Sequence, residues 1–452
     1  MHDAMADAAA IFRAGLARVD SLAMMERVLS LSGDTLVVAT ETARLRYDLS
    51  GYRRIIALGA GKAAARMALG LEQVLGDRLW GGCVAVKEGY TEHLSRLTLL
   101  EAGHPVPDAR SLRAARALLD LAAQAGPDDL VIVLLSGGGS AILAAPLETS
   151  DRRLTLADKQ AVTRELLACG ASIQEINLVR KKLSAIKGGR LARAIAPASC
   201  LTLVLSDVVG DDVASIASGP TVPDPASPAD ALAIVAHYGL VERLPEAVLG
   251  LLRDMAEGRL DDTPKPGDPA FAACRTVLVG SNYQALLAAR DAARSLGYTP
   301  LLLTSRLIGE AREAAHLFAA LARDMVAHGL PTPRPGCVIA GGETTVTLRG
   351  SGKGGRNQEL ALAFLEDLSR NGRDIGEAVL LAAATDGGDG PTEAAGAFAS
   401  RAILEQGREC GLSPSPFLAE NDAYNYFRAL DRLFVTGPTN TNVCDITVLV
   451  SP

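Results

Sequence analysis

The chain has 452 residues, 48% hydrophobic and 21% charged, a globular composition with more material than one core usually holds. Two or three domains are therefore expected, and a short peptide module is excluded. No run of about 18 uncharged apolar residues exists to cross a membrane, and 45 basic against 52 acidic residues, a net charge of -7, argue against a sequence-independent nucleic-acid binder.

In the first thirty residues, apolar stretches are interrupted by Asp3, Asp7, Arg13, Arg18, Asp20, Glu26 and Arg27 in an amphipathic helical pattern. That pattern is neither a secretory signal nor an acid-poor presequence, so a cytoplasmic location is expected. Arg54–Leu58, the turn Gly59-Ala60-Gly61-Lys62, a helical Ala63–Leu75 and a strand at Gly82–Val86 predict a βαβ unit. Leu130–Leu135 is a continuous apolar run ending in Ser136-Gly137-Gly138-Gly139-Ser140, which predicts a strand buried on both faces that opens into a backbone-rich loop.

Glu175–Ile195 predicts one helix, with Val179, Leu183 and Ile186 on its core side and Asn177, Arg180, Lys181, Ser184 and Lys187 on a basic side. Leu201–Leu205 is a further buried strand, leading into Ser206-Asp207. The Pro-, Gly- and charge-rich stretch 261–270 carries the strongest linker signal, so an N-terminal domain over 1–260 and a smaller C-terminal domain over 271–452 are expected. The second half restarts the alternation with strands at Thr276–Val279, Thr299–Leu303 and Cys337–Ala340 and helices at Tyr283–Leu296 and Glu310–His328. Thr344–Leu348 alternates in β-branched fashion, a helix over Asn357–Arg370 follows Arg349–Gly355, Val379–Ala384 ends in an Asp- and Gly-rich loop, and Ile446–Val450 closes the chain. The fold class is α/β throughout, with a Rossmann-like, mostly parallel N-terminal sheet.

Several of these loops could carry chemistry. Gly59-Ala60-Gly61-Lys62-Ala63-Ala64 fits GxGxxA, and Glu88 lies where a dinucleotide fold places its ribose acid. Lys62 turns that reading toward phosphate, since a mobile cation serves a transferring phosphoryl group better than a dinucleotide turn. Only eight basic residues are Lys, against 37 Arg, so a lysine in a glycine loop stands out. A capping turn with a solvent lysine is the plain alternative. Ser136, Gly137, Gly138, Gly139 and Ser140 would form an anion nest at a strand end, or only allow close packing there.

Asp207 follows one buried strand, and Asp386 and Asp389 follow another. Such carboxylates suit magnesium shared with substrate phosphates, whereas an isolated Asp389-Gly390 reads equally as a turn. Arg356, after Gly352-Lys353-Gly354-Gly355 and at a helix N-terminus, would clamp a carboxylate or phosphate with its planar fork. His104, in Gly103–Asp108, is expected to order a loop rather than move a proton. The seven cysteines, at 83, 169, 200, 274, 337, 410 and 444, show no metal or disulfide spacing.

Taken together, Gly59–Ala64, Gly103–Asp108, Ser136–Ala141, Asn177–Arg190, Ser206–Pro225, Gly341–Glu359, Thr385–Ala397 and Gly437–Asp445 resemble the class II glycerate kinases. These motifs extend over almost the whole chain, and it departs from the family pattern only in detail, at Gly388, Glu393 and Asn440. The resemblance implies an N-terminal glycerate kinase domain, a C-terminal domain of the leucine-rich-fragment type, and an active site in the cleft between them. It implies ATP-dependent phosphorylation of D-glycerate at C2 with Mg2+; a monomer or homodimer is expected, and composition and charge point to no nucleic-acid or membrane partner.

The family's lysine and arginine map onto Lys62 and Arg356. Asp207 and Asp386 are then expected as catalytic groups, Asp207, Asp386 and Asp389 as metal ligands, and Gly59, Gly61, Ser136–Ser140 and Lys187 as nucleotide contacts. An NAD(P)H-dependent hydroxypyruvate reductase and a non-catalytic sensor of phosphorylated sugar acids are the rival readings.

Overall fold

The structure, a computed structural model, describes residues 3–149, 152–371 and 374–452. It forms two compact units: Ser21–Val279, and the chain up to Asp20 together with Gly280–Pro452. Among the described residues no helix is long and apolar enough to cross a membrane.

In the larger unit, β1 (Leu29–Ser32), β2 (Thr35–Ala39) and β3 (Arg44–Asp48) form an antiparallel meander. The main sheet comprises β4 (Arg54–Ala60), β5 (Leu79–Lys87), β6 (Leu97–Ala102), β7 (Asp129–Leu135), β8 (Ser199–Leu205) and β9 (Cys274–Gly280), in the order β6-β5-β4-β7-β8-β9. From β6 to β8 every pairing is parallel. Every residue of β7 is buried, which is why its sequence is continuously aliphatic rather than alternating. The chain adds β5 and β6 on one side of β4, then returns to lay β7 and β8 on the other. The loops after β4 and β7 therefore leave in different directions and open a crevice at the carboxyl ends of these strands.

Beside the sheet, the helices Leu156–Ala168, Ile173–Lys182, Pro228–His237 and Glu246–Ala256 pack around their own core of Val162, Leu166, Ile176, Val179, Val235 and Leu252. The helix expected over Glu175–Ile195 is broken into Ile173–Lys182 and Arg190–Ile195. Gly188 and Gly189 have φ of 57° and 83°, and a Cβ on Gly189 would lie 2.7 Å from the Phe271 ring. Hydrophobic periodicity runs through this break because Leu183 and Ile186 are buried on either path.

The stretch 261–270 lies inside the larger unit rather than between the two. Lys182, fully buried, donates from Nζ to Asp224 Oδ2 at 2.9 Å, Asp262 Oδ1 at 2.9 Å and Thr263 Oγ1 at 2.8 Å, clipping the segment to its helix. Removing one partner of such a buried pair costs about 3–5 kcal/mol, so this irregular loop is anchored despite its linker-like composition. Thr276–Val279, expected to begin the second domain, lies in β9, the last strand of the first sheet.

The second unit holds β10 (Thr299–Leu307), β11 (Gly336–Gly342), β12 (Val379–Ala384), β13 (Gly396–Ser400), β14 (Leu433–Phe434) and β15 (Asp445–Ser451), ordered β10-β11-β15-β12-β13-β14. Only β10 and β11 are parallel. The closing strand of the chain is thus central, and Asp445 at its start lies beside Gly342 and Ala384. The helix Ala4–Arg18 belongs here: Ala8, Ile11 and Phe12 are fully buried, and Phe12 meets Phe434 edge to face at 5.2 Å. Thr344–Leu348 forms no strand beyond a single bridge from Thr345 to Glu310.

Candidate active site

At the crevice of the larger unit the loops after β4 and β7 are laced together. The Lys62 amide donates to Gly137 O at 2.8 Å, and the Ala63 amide to Ser136 Oγ at 3.0 Å. Gly61, at φ 138°, is required by this contact, since a Cβ there would fall 2.1 Å from Ser136 Oγ. Its open face is therefore occupied by Ser136 and is not presented to a dinucleotide pyrophosphate. Glu88, the expected ribose acid, accepts from Arg110 Nη2 at 2.9 Å.

The next glycines behave differently. Gly138 is left-handed at φ 82°, and among the described residues nothing accepts from the amides of Gly137 and Gly138. A Cβ on Gly138 would meet His104 Nε2 at 3.0 Å and Lys62 Cγ at 3.3 Å, and one on Gly137 would fall 1.9 Å from Asp207 Oδ2. Two backbone donors and the Lys62 cation thus meet at one short loop, as a nest for an anion requires, with His104 and the Asp207 carboxylate beside them. Among the described residues Lys62 has no ion-pair partner. Burial, and then the charges of Lys62 and Lys87, push His104 down to about 4, so its imidazole is neutral at pH 7.

A cavity of about 560 Å³ continues from this loop toward the helical layer, with His104, Gly138, Ser140, Lys159, Arg180 and Lys187 among its lining. Lys187, buried in the turn between the two helix pieces, donates to Ser140 O at 2.7 Å and Ser140 Oγ at 3.0 Å. Ser140 Oγ is 2.8 Å from Ser218 Oγ, and Arg180 Nη1 donates to Asn177 Oδ1 at 3.4 Å. Burial lowers Lys159 to about 7, with Arg180 and Arg190 adding to the effect. Burial, Arg180 and Lys159 hold Lys187 well below the usual lysine range.

In the second unit, Arg356 begins the helix Arg356–Asn371. Its fork is used on protein: Nε donates to Asp445 Oδ2 at 2.6 Å, Nη2 to Asp445 Oδ1 at 2.8 Å, and Nη1 lies 3.0 Å from Glu343 Oε1. Burial lifts Asp445 to about 6, against the pull of Arg356. Asp389 is also buried and caps the same helix, accepting from the Asn357 amide at 3.2 Å and the Gln358 amide at 2.8 Å. Its two oxygens are committed to backbone, which is the turn-like reading of Asp389-Gly390 rather than the metal-ligand one. Asp386 is half-buried and accepts from the Gly388 amide at 3.1 Å.

Within the larger unit, then, the fold gathers Lys62, Ser136–Ser140, Lys187 and Asp207, while Gly59 and Gly61 shape the strand end. Two residues of this region were not singled out as functional in the sequence: Lys159, and Arg180 except as part of a basic face. Their signal was slight, because a buried lysine on a helix reads as solvent-facing until the helices beside it are in place.

The fold and the site are those of a two-domain α/β protein with a cationic crevice at the switch point of a parallel sheet. A family model described as a domain of unknown function, DUF4147, matches residues 7–253, and the MOFRL family matches 336–445. The chain is 38% identical to the D-glycerate 2-kinase of Thermotoga maritima, over 87% of this chain and 90% of that protein. It is 43% identical to an Agrobacterium vitis protein provisionally named a hydroxypyruvate reductase, over 88% of this chain and 87% of that one. The crystal structure of the glycerate kinase from Thermotoga maritima matches it with a TM-score of 0.87 at 34% identity, over 100% of both chains. The chain belongs to the glycerate 2-kinase family.

Proposed function

We propose that this protein transfers the γ-phosphoryl group of ATP to the C2 hydroxyl of D-glycerate, giving 2-phospho-D-glycerate and ADP. The observation that carries the reading is the loop after β7, where unpartnered amides of Gly137 and Gly138 lie beside Lys62 in a family whose relatives carry that activity in their names. Phosphoryl transfer asks a protein for positioning and for positive charge around anionic oxygens, with little covalent chemistry of its own. Lys62 would neutralise charge on the transferring group, the Gly137 and Gly138 amides would hold an anionic oxygen, and His104 would offer a neutral ring to the acceptor.

Magnesium fits the donor chemistry. Among the described residues no three His, Cys, Asp or Glu side chains gather to hold a metal alone, so an ion here would draw most of its ligands from phosphate and water. Asp207 would hold it in the larger unit, and Asp386 is the carboxylate suited to one in the second. When bound, the ion would neutralise phosphate charge.

Reduction of hydroxypyruvate, the activity in the name of the Agrobacterium vitis relative, would need the first glycine turn to receive a nicotinamide dinucleotide. That turn is filled by Ser136. Purified protein with D-glycerate, ATP and Mg2+ should release ADP and yield a phosphate ester whose phosphorus resonance couples to the C2 proton. It should lose this turnover in EDTA and oxidise no NADH with hydroxypyruvate. NADH oxidation without ADP release would overturn the reading, and neither reaction, with phosphorylated sugar acids bound, would leave a sensor.

A further inference from the structure

We propose that Lys159, Arg180 and Lys187 form the subsite for the polyphosphate of the nucleotide, distinct from Lys62. The inference rests on the kinase reading and sets these cations at the phosphates that ADP retains, leaving Lys62 to the transferring group. Lys159 is 8% exposed and Lys187 is 1% exposed, yet neither has an ion-pair partner among the described residues. Among the described residues the sole acceptor of Lys159 Nζ is Ala145 O, at a long 3.4 Å, and the bonds of Arg180 to Asn177 Oδ1 and Ser140 O are 3.4 and 3.5 Å. Lys182, a few residues away, shows what a structural lysine looks like here, with two carboxylates and a hydroxyl around it.

Burying cations without counter-charge is costly, and a bound anion would remove that cost. The cavity they face has no acidic residue in its lining. At about 560 Å³ it is the size of a small-molecule site, and a three-carbon acid would leave most of it empty. Its walls are apolar at Ala144, Leu156, Val106 and Leu167, the last two 65% and 62% exposed. A nucleoside with its phosphates on the cations matches that division into apolar wall and charged floor.

Proton coupling follows from the surroundings of Lys159. It faces Arg180 from the helix Ile173–Lys182, Lys187 from the turn after it, Arg190 from the next helix and His104 from the loop after β6, and Arg164 of its own helix lines the same cavity. Asp262, Asp224 and Asp261 face Arg190 from its far side, no carboxylate lines the cavity itself, and the Lys159 ammonium is held only up to about pH 7. An anion would restore the charge, so binding takes up a proton above that pH.

The test is calorimetric titration of the full chain with ADP between pH 7.5 and 9, in buffers of different ionisation heat. Wild-type protein should take up a proton on binding and lose affinity as pH rises, by at most about tenfold per pH unit. Lys159→Met should bind ADP at least about tenfold more weakly and with less proton uptake than wild type. Lys159→Arg should keep the affinity and take up fewer protons than wild type, the remainder coming from Lys187, which separates charge from packing. Unchanged ADP affinity in Lys159→Met, or the same proton uptake in Lys159→Arg as in wild type, would overturn the subsite even if glycerate is phosphorylated normally. Loss of the glycerate activity with ADP binding still dependent on Lys159 would instead overturn the kinase reading alone.

Discussion

Arg356→Lys tests whether the guanidinium fork in the second unit is a ligand clamp or a brace for its own strand. The substitution keeps a positive charge but offers one ammonium where the structure has two parallel bonds to Asp445, at 2.6 and 2.8 Å, and a third contact to Glu343 at 3.0 Å. Losing one charge-assisted bond costs about 1.5–3 kcal/mol, and the less satisfied oxygen of the buried Asp445 adds to it, for a total of about 2–4 kcal/mol. For a domain of this size each kcal/mol moves the melting temperature by about 2–4 °C, so the transition of the second unit should fall by roughly 4–16 °C.

The sign with pH is fixed by Asp445, whose folded value of about 6 lies above its unfolded one. Its burial therefore weighs on the folded state only as pH rises through about 6, and weaker compensation by Lys deepens that burden. The gap between variant and wild type should be widest at pH 7.5 and narrow toward pH 5, as read by differential scanning calorimetry. An unchanged melting profile accompanied by a collapse of kcat would refute the brace and return the fork to a ligand.

Lys62→Ala should lower kcat for glycerate by on the order of 10²–10³, as when one preorganised electrostatic donor is lost, and leave melting unchanged; normal kcat would reduce Lys62 to a solvent lysine. Gly137→Ala forces a methyl into the place of Asp207 Oδ2, so it should raise the magnesium concentration needed for half-maximal activity with little loss of secondary structure. A wild-type magnesium titration in that variant would detach Asp207 from the metal.

How far the fold could be read from the sequence depended on whether its signal was local. The buried strands β4, β7, β8 and β12 announce themselves as aliphatic runs ending in glycine or aspartate, because burial on both faces removes any need for alternation. Partnership is not local. Cys274–Gly280 reads equally well as the last strand of one sheet or the first of the next, and only pairing beside β8 decides it. The helix Ala4–Arg18 shows its apolar stripe in sequence but not that its partner includes Phe434. Composition misled at 261–270, where Pro, Gly and Asp describe an irregular backbone and say nothing of the buried Lys182 that anchors it.

The site divides along the same line. Glycine loops were visible because each does something that only backbone can do: Gly61 lets Ser136 approach, Gly138 turns left-handed, and Asn440, where the family often has Gly, has φ 56°. Charged residues carry no such mark. Arg356 at a helix N-terminus suggested an anion, and the structure supplies two from within the chain, Asp445 and Glu343, the first some ninety residues further on. Lys159 shows the reverse, an ordinary lysine in a helix whose neighbours prove to be all cationic once Arg180, Lys187 and Arg190 close around it. Net charge near a site is set by which elements meet, so a residue type in a motif indicates what chemistry is available while the count of unpaired charges indicates where it is needed. Lys62, Lys159, Arg180 and Lys187 line the crevice and its cavity with no ion-pair partner among the described residues, and the interest of Lys62→Ala and Lys159→Met lies in comparing them. If the two clusters hold different phosphates, the first variant should lower kcat with ADP affinity kept, and the second should weaken ADP first.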